Sequence, residues 1–460
     1  MEQEKLEQLS KEELIHLIME LAEQYAQLKA DNEAMKLKLE QLQKPKTTSK
    51  NSSQPPSQDK KSNKAKDKRK HRHGPPQGHE KHERQFVAEP DHVINLRPKN
   101  CEICHTDMRA EDGELVKVNQ ITELPEAKAE VIEVRQYEAA CPQCGKKQIE
   151  KPPEGLEMDR RFGSRLETTV VYYRQEQHMS YKRTKIALHD LHGTEISQGG
   201  IDGIMQRVRI KAIEAAKPIE KTVRESGVIN SDETGSRVEG DNWWEWVFCT
   251  ATAILHVIRA NRSKDVIKDV MGENEAEVWG SDCYSAQLHA PAKKQQLCMS
   301  HQIRNLQAAI DAQPTQTWSK AMQMLFRYAI HLKHQRSQLS VEQFTIQLER
   351  INRHCDRLLQ RTLASPDAKR LRNRYHKHRQ KLFVFLERTD VEPTNNVAER
   401  ALRPSVIHRK VMGCFRSEWG AKAYAALASV IDTAELSGIN AFDAIQSIFG
   451  PPTLPIPTSR

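Results

Sequence analysis

The sequence lacks the features that mark membrane-spanning and secreted proteins. No apolar run among its 460 residues approaches the roughly 18 residues needed to cross a membrane. The first ten residues, MEQEKLEQLS, contain no apolar segment of the kind found in signal peptides. We therefore expect a soluble protein of the cytoplasm with no membrane partner.

Cysteine is also scarce, and its placement argues against a disulfide framework. The nine cysteines are an odd number, and four form two CxxC pairs, which is typical of a reducing compartment and of metal binding. The pairs are Cys101 with Cys104 and Cys141 with Cys144. Because tetrahedral Zn²⁺ takes four soft ligands, and two short loops can each present two thiolates, we predict one structural Zn²⁺. Residues 91–153 would form a zinc ribbon with strands at 115–118 and 129–137, and four unrelated buried cysteines are the alternative.

Excess charge is absent from most of the chain. Residues 44–84 contain 13 Lys and Arg against 4 Asp and Glu, which accounts for the whole net charge of +9. Residues 46–90 also lack apolar periodicity and cannot bury a core of their own. Such localised positive charge favours contact with the phosphates of a nucleic acid, and a plain spacer is the alternative. The predicted DNA contacts in this linker are Lys66, Lys68, Arg69, Lys70 and Arg72.

Regular patterns appear on either side of the linker and the cysteines. Between Leu14 and Leu42 the apolar residues alternate spacings of four and three, with Asn32 at an a position. This heptad pattern predicts a parallel two-stranded coiled coil over 1–45, and a helix packed on its own protein is the alternative.

Three helices are predicted between about 165 and 217, with a short turn at Gly193 before the third. This arrangement is compatible with a helix-turn-helix that uses Arg207 to contact DNA, and plain helical packing is the alternative.

Beyond Gly227 the pattern changes to strands. Three antiparallel-looking strands, a helix over 264–271 and two further strands follow one another, and the first and fourth strands end in Asp232 and Asp282. This order is that of an RNase H-like fold. In that fold the two strands are neighbours, so we expect these two carboxylates to meet.

Carboxylates in this arrangement suit divalent ions, since Mg²⁺ prefers hard oxygen ligands. Two Mg²⁺ ions, or Mn²⁺ in their place, can stabilise both the attacking and the leaving oxygen of a phosphodiester displacement. A third carboxylate is expected from a later helix, and Glu399 is the candidate. With Asn396 as N-cap, however, Glu399 would be an ordinary capping-box glutamate, and the spacing alone leaves both interpretations open.

Several segments together resemble the insertion sequence 66 family of transposases. They are SDETG at 231–235, DCY at 282–284, CMSHQIR at 298–304 and NNVAER at 395–400, continuing into RK at 409–410 and SEWGA at 417–421. The likeness covers most of the chain, although Gln287-Leu288-His289 stands where family members usually carry an aromatic residue. The resemblance implies that Asp232, Asp282 and Glu399 form the acidic triad of an enzyme that cleaves and joins DNA. It also implies accessory proteins as partners.

The predicted architecture is a multidomain α/β protein that dimerises, binds DNA and is associated with the nucleoid. Additional DNA contacts are predicted at Arg400, Arg403, Arg409 and Lys410. A nuclease without strand transfer and a catalytically silent DNA-binding regulator are the competing functions. The predicted divisions are a coiled coil at 1–45, a linker at 46–90, a zinc ribbon at 91–153, a helical DNA-binding domain at 154–226, an RNase H-like core at 227–300 and 391–440, a helical insertion at 301–390, and a tail at 441–460.

Overall fold

The computed structural model describes residues 84–108, 114–153 and 155–450, together with residues 24, 25, 28, 32, 35 and 47–52. The five isolated positions near the start are helical and exposed. Most of the predicted coiled coil lies outside the described residues, and so do the linker contacts predicted at Lys66, Lys68, Arg69, Lys70 and Arg72. Within the described part of the chain, no helix is long and apolar enough to cross a membrane.

The segment around the two CxxC pairs contains little regular structure. A short antiparallel hairpin, β1 (Glu138–Ala140) and β2 (Lys147–Ile149), encloses the second pair. The strands predicted at 115–118 and 129–137 are wrong, because residues 114–137 form neither strand nor helix. Their apolar side chains are exposed, with Leu115 at 82% and Val131 at 97%. An alternating pattern does not make a strand where no partner strand or core covers its apolar face.

Three helices precede the sheet, α1 (Ser164–Gln175), α2 (Tyr181–His192) and α3 (Gln198–Arg224). The hydroxyl of Ser197 accepts the Gly200 N–H at 3.0 Å, which caps α3. One face of α3 carries Val208 and Ala212, which are fully buried in a core shared with the C-terminal helices. This face of α3 therefore has a structural role, because it packs against the C-terminal helices.

A five-stranded mixed sheet lies at the centre of the described chain, in the order β5-β4-β3-β6-β7. Strands β3, β4 and β5 are antiparallel neighbours, whereas β6 runs parallel to both β3 and β7. Helix α4 (Lys264–Met271) connects β5 to β6. The strands are β3 (Val228–Val238), β4 (Asp241–Cys249), β5 (Ile254–Arg259), β6 (Ala276–Ser281) and β7 (Ala292–Leu297).

The sequence pattern predicts that strand β3 ends at Asp232, but the strand is longer. It continues for six residues to Val238 and returns through a tight turn at Glu239 and Gly240, both with positive φ. The continuation pairs with β4, from Glu233 opposite Trp246 to Val238 opposite Asp241. The prediction failed because polar residues interrupt the apolar pattern, although the backbone remains paired.

The chain between β7 and Glu399 is largely helical. Its core contains Trp318, Phe326 and Tyr375, and this core is continuous with Val278 and Leu297 of the sheet. The helices are α5 (Met299–Ala312), α6 (Thr317–His334), α7 (Val341–Leu359), α8 (Pro366–Lys377) and α9 (Val384–Glu387).

The chain after the insertion returns to the sheet and then to the first helices. Helix α12 (Glu418–Leu436) packs against α3, and its Leu427 and Ile431 are buried there. Although the sequence assigns 441–460 to a tail, Ala441–Phe449 is a helix with buried Ile445. The helices are α10 (Asn396–Ala401), α11 (Arg403–Met412), α12 (Glu418–Leu436) and α13 (Ala441–Phe449).

Helix α12 also covers the edge of the sheet. The backbone N–H of Ile254 donates to the Thr433 hydroxyl at 3.0 Å, and the N–H of His256 donates to the Ser429 hydroxyl at 2.8 Å. Hydroxyl groups of a helix thus satisfy donors of β5 that a sixth strand would otherwise bind.

Candidate active site

Two of the predicted acids come from neighbouring parallel strands. The register pairs Asn230 of β3 with Gly280 of β6, and its continuation by two residues brings Asp232 beside Asp282. Burial, followed by the charges of Glu233 and Asp282, raises the pKa of Asp232 to about 8. The structure therefore brings these two carboxylates together at the point where the parallel pairing ends.

The third acid approaches from α10. The Asn395 amide donates to the carbonyl oxygen of Ser231 at 2.8 Å, and the Asn395 N–H donates to the Cys298 sulfur at 3.2 Å. These bonds hold the start of α10 against β3, next to Asp232. The charge of Glu399 is a further, smaller cause of the raised pKa of Asp232.

The capping-box interpretation of Glu399 is wrong. The N-cap of α10 is Asn395, whose side chain makes no capping hydrogen bond, and Ala398 occupies the third helical position. Glu399 is the fourth helical residue, so it cannot complete a capping box. Its carboxylate is directed elsewhere.

Two side chains of α5 face the Glu399 carboxylate. His301 Nδ1 lies 3.6 Å and Arg304 Nη2 lies 3.5 Å from Glu399 Oε1. Burial, and then the charge of Arg304, lowers the pKa of His301. The CMSHQIR segment contributes to the family resemblance, but the sequence alone assigns no role to either residue.

A second network, missed by sequence reasoning, lies behind Asp232. Arg262 Nε donates to Glu233 Oε1 at 2.9 Å, and the Gln287 amide donates to Glu233 Oε2 at 2.6 Å. Burial raises the pKa of Glu233, while these two partners oppose the rise. The hydrogen bond to this buried carboxylate gives Gln287 a structural role.

The same arginine connects to the other acid. The Arg262 guanidinium lies over the rings of Trp244 and Tyr284, 4.5 and 3.8 Å from their centroids. The Tyr284 N–H donates to Asp282 Oδ1 at 2.7 Å, and the Tyr284 hydroxyl donates to the Arg262 carbonyl at 2.7 Å. Arg262 therefore supports the segments that carry both Asp232 and Asp282.

The predicted basic contacts fall into two groups. Arg400, Arg403 and Lys410 are exposed on α10 and α11 and Arg409 is half-buried, and none of them forms an ion pair with another described residue. Arg207, by contrast, pairs with the buried carboxylate of Glu167. The first group offers free positive charge close to Glu399 in sequence.

The two CxxC loops have the same backbone geometry. The N–H of His105 donates to the carbonyl of Cys101, and that of Gly145 donates to the carbonyl of Cys141, both at 2.9 Å. His105 and Gly145 both have positive φ. Hydrogen bonds from Thr106 and Cys101 lower the pKa of Cys104 to about 7. Each loop presents two thiols, but the four sulfurs are not gathered into one group within 4.8 Å.

Among the described residues, another group of potential metal ligands does meet this distance, and it lies at the start of α5 and on α10. It consists of Cys298, His301 and Glu399, whose ligand atoms all lie within 4.8 Å of one another.

Comparison with known proteins identifies the family to which this chain belongs. The family model described as the IS66 family of transposases matches residues 160–423, more than half of the chain. A match of this extent, which includes all three acids, defines a DNA-processing enzyme of the transposase class. The chain belongs to the IS66 family of transposases. Residues 1–85 match a family of unknown function, DUF6444. A comparison with curated proteins found no match.

Proposed function

We propose that this transposase binds the ends of an insertion sequence, and cleaves and joins DNA strands at a site formed by Asp232, Asp282 and Glu399. One observation carries the proposal. Burial, and then the charges of carboxylates from neighbouring strands and from α10, raise the pKa of Asp232, and no cation among the described residues neutralises it. Such an arrangement costs stability, and a site for bound cations accounts for it.

The donor set fits divalent ions. All three groups are carboxylates, the hard oxygen ligands that Mg²⁺ prefers, and Glu399 Oε1 is buried without a hydrogen-bond partner among the described residues. Two Mg²⁺ ions, or Mn²⁺ in their place, would supply charge stabilisation for the attacking and leaving oxygens. Transposases generally use divalent metals, which agrees with this assignment.

The chain itself orients these ligands. The Tyr284 N–H fixes one oxygen of Asp282, and Asn395 fixes the helix that carries Glu399. His301 and Arg304 lie within 3.6 Å of Glu399 Oε1 and would orient this carboxylate toward a bound ion. The strand order and the placement of the acids support an RNase H-like core, interrupted by the helices between β7 and α10.

Other regions would supply DNA binding and assembly. We assign phosphate contacts to Arg400, Arg403, Arg409 and Lys410, because these cations follow Glu399 and lack acidic partners among the described residues. The matched geometry of the two CxxC loops supports a structural Zn²⁺ bound by the four cysteines. The basic linker would add phosphate contacts and the N-terminal heptads would form a dimer, with accessory proteins as further partners.

Glu399→Gln tests the proposal most sharply, since Gln keeps the shape of the side chain but not its charge. Mg²⁺-dependent cleavage of DNA carrying the element's ends should fall at least about 100-fold, because a lost carboxylate removes several kcal/mol of charge stabilisation. DNA binding, measured by gel shift, should remain.

Glu392→Gln is the matched control, because Glu392 is exposed and precedes the same helix. It should cleave DNA at the wild-type rate. Near-normal activity of Glu399→Gln, with loss of activity in Glu392→Gln, would overturn the assignment.

A further inference from the structure

The group formed by Cys298, His301 and Glu399 differs in chemistry from the three acids. Cys298 is the N-cap of α5, His301 lies one turn into that helix, and Glu399 reaches the pair from α10. Their ligand atoms all lie within 4.8 Å of one another. The group therefore places a sulfur, a nitrogen and an oxygen around one point.

Two of these atoms lack hydrogen-bond partners. His301 Nδ1 and Glu399 Oε1 are both buried from solvent, and neither makes a hydrogen bond to a described residue, although Arg304 Nη2 lies 3.5 Å from Glu399 Oε1. They lie 3.6 Å apart. Two ligands at the usual Zn–N and Zn–O distances lie about 3.4 Å apart across a tetrahedral angle. The observed separation thus suits two ligands of one ion.

The sulfur is positioned to complete the group. Cys298 is 2% exposed and accepts the backbone N–H of Asn395 at 3.2 Å. Burial raises the pKa of the Cys298 thiol, and the Asn395 N–H opposes that rise. A metal binds the thiolate, so the thiol proton is lost when the ion binds.

We propose that Cys298, His301 and Glu399 form a second metal site, which binds Zn²⁺ or a similar borderline ion and leaves its fourth position open. Mixed sulfur, nitrogen and oxygen ligands select such ions over Mg²⁺. One thiolate and one carboxylate neutralise the double charge, and the thiol proton is released to solvent. This site is separate from the four paired cysteines.

Sharing Glu399 has a consequence for activity. An ion bound to Cys298 and His301 would withdraw Glu399 from the proposed magnesium site, so Zn²⁺ should inhibit cleavage. This consequence rests on the proposed function, whereas the metal site itself does not.

Cobalt titration tests the site directly. The full-length protein is first loaded with one equivalent of Zn²⁺, which Co²⁺ displaces poorly because it binds such ligands more weakly. Co²⁺ then serves as the probe. We expect a thiolate-to-cobalt charge-transfer band in the near ultraviolet that saturates at one equivalent bound to this site, and the band distinguishes that site from Co²⁺ bound by carboxylates alone.

Three variants decide the assignment. Cys298→Ser should lose the band, and His301→Gln should weaken Co²⁺ binding at least about 10-fold. Cys283→Ser is the control, because Cys283 is a nearby cysteine outside the group, and it should bind Co²⁺ like the wild type. If Cys298→Ser does not fold, as judged by circular dichroism, His301→Gln decides alone.

The proposal is overturned if the zinc-loaded wild type shows no charge-transfer band, or if the folded Cys298→Ser variant keeps the band. These outcomes are separate from the catalytic test. Cobalt binding combined with full activity of Glu399→Gln would refute the magnesium site and leave this site standing.

Discussion

The sheet carries two carboxylate clusters, and they differ in how their charge is compensated. In one, the buried His256 lies between Glu245 and Asp432, with both ring nitrogens 2.9 Å from a carboxylate oxygen. Burial disfavours the charged ring, but hydrogen bonds to both acids prevail and raise the pKa of His256 to about 9. In the other cluster, Asp232 with Asp282 and Glu399, the described residues place a cation only at the edge, where Arg304 Nη2 lies 3.5 Å from Glu399 Oε1.

The difference separates a structural cluster from a functional one. A buried charge with matched partners stabilises a single arrangement of helix and sheet, because each group would be costly to bury alone. Carboxylates that share no central cation repel one another and are tolerated where a ligand compensates them. Substitutions in the two clusters should therefore have opposite effects on stability.

Asp232→Asn should give the largest effect and should separate stability from activity. Cleavage should fall at least about 100-fold, because a metal ligand loses its charge. The folded-state pKa of Asp232, about 8, lies above its ordinary value of 3.8. The metal-free wild type therefore loses stability as pH rises from 3.8 through 8, whereas Asn cannot ionise. Melting without added divalent ions should show the variant more stable at pH 8, by at least about 2 °C.

The gain should shrink as the pH approaches 4. A variant less stable than the wild type at pH 8 would show that Asp232 is compensated in the free protein, and the contrast between the clusters would fail.

His256→Gln should destabilise the protein by about 3 to 5 kcal/mol, since it leaves two carboxylates without their buried cation. The folded-state pKa of His256, about 9, lies above its ordinary value of 6.5. Its stabilising contribution is therefore full below pH 6.5 and is lost as pH rises through 9. Denaturant unfolding at several pH values measures this change.

The exposed His289 supplies the control. His289→Gln should leave stability within about 0.5 kcal/mol of wild type. Equal stability of His256→Gln and the wild type at pH 6 would contradict a charged His256.

Arg262→Gln should have the smallest of these effects, because Arg262 supports the acids without joining them. It should slow cleavage about 10-fold, as expected for a residue that orients metal ligands. Arg262→Lys should restore part of the rate, since Lys replaces the charge but not the planar contact with Trp244 and Tyr284. Mg²⁺ titration of the cleavage rate should show a raised requirement for the ion.

Arg259→Gln is a matched control, because Arg259 pairs with no carboxylate among the described residues. It should behave as wild type. An unchanged Mg²⁺ requirement in Arg262→Gln would limit Arg262 to a packing role.

How much of the site could be predicted from the sequence depends on whether a sequence pattern connects the residues of each contact. Asp232 and Asp282 could be predicted to meet because each follows an apolar strand, and strand order determines their neighbours. The partners of Glu233 could not, since Arg262 and Gln287 are 29 and 54 positions away and follow no repeating pattern. Glu399 required the family resemblance, because spacing alone did not distinguish a metal ligand from a cap.

The errors in the strand predictions have a related cause. Residues 129–137 alternate like a strand but have no partner, while 233–238 do not alternate but pair with β4. Pairing is a property of two segments, and a pattern describes only one of them.

During synthesis, the edge of the sheet is covered only after Ser429 and Thr433 have been added to the chain, because their hydroxyls bind its free donors. They protect backbone donors of β5 that precede them by 173 and 179 positions. All five strands have been made by Leu297, so an edge of the sheet stays open while more than a hundred further residues are added. Open edges pair with other strands. A transposase chain that terminates in the insertion would carry Asp232 and Asp282 without Glu399, and its exposed edge would favour aggregation over partial activity.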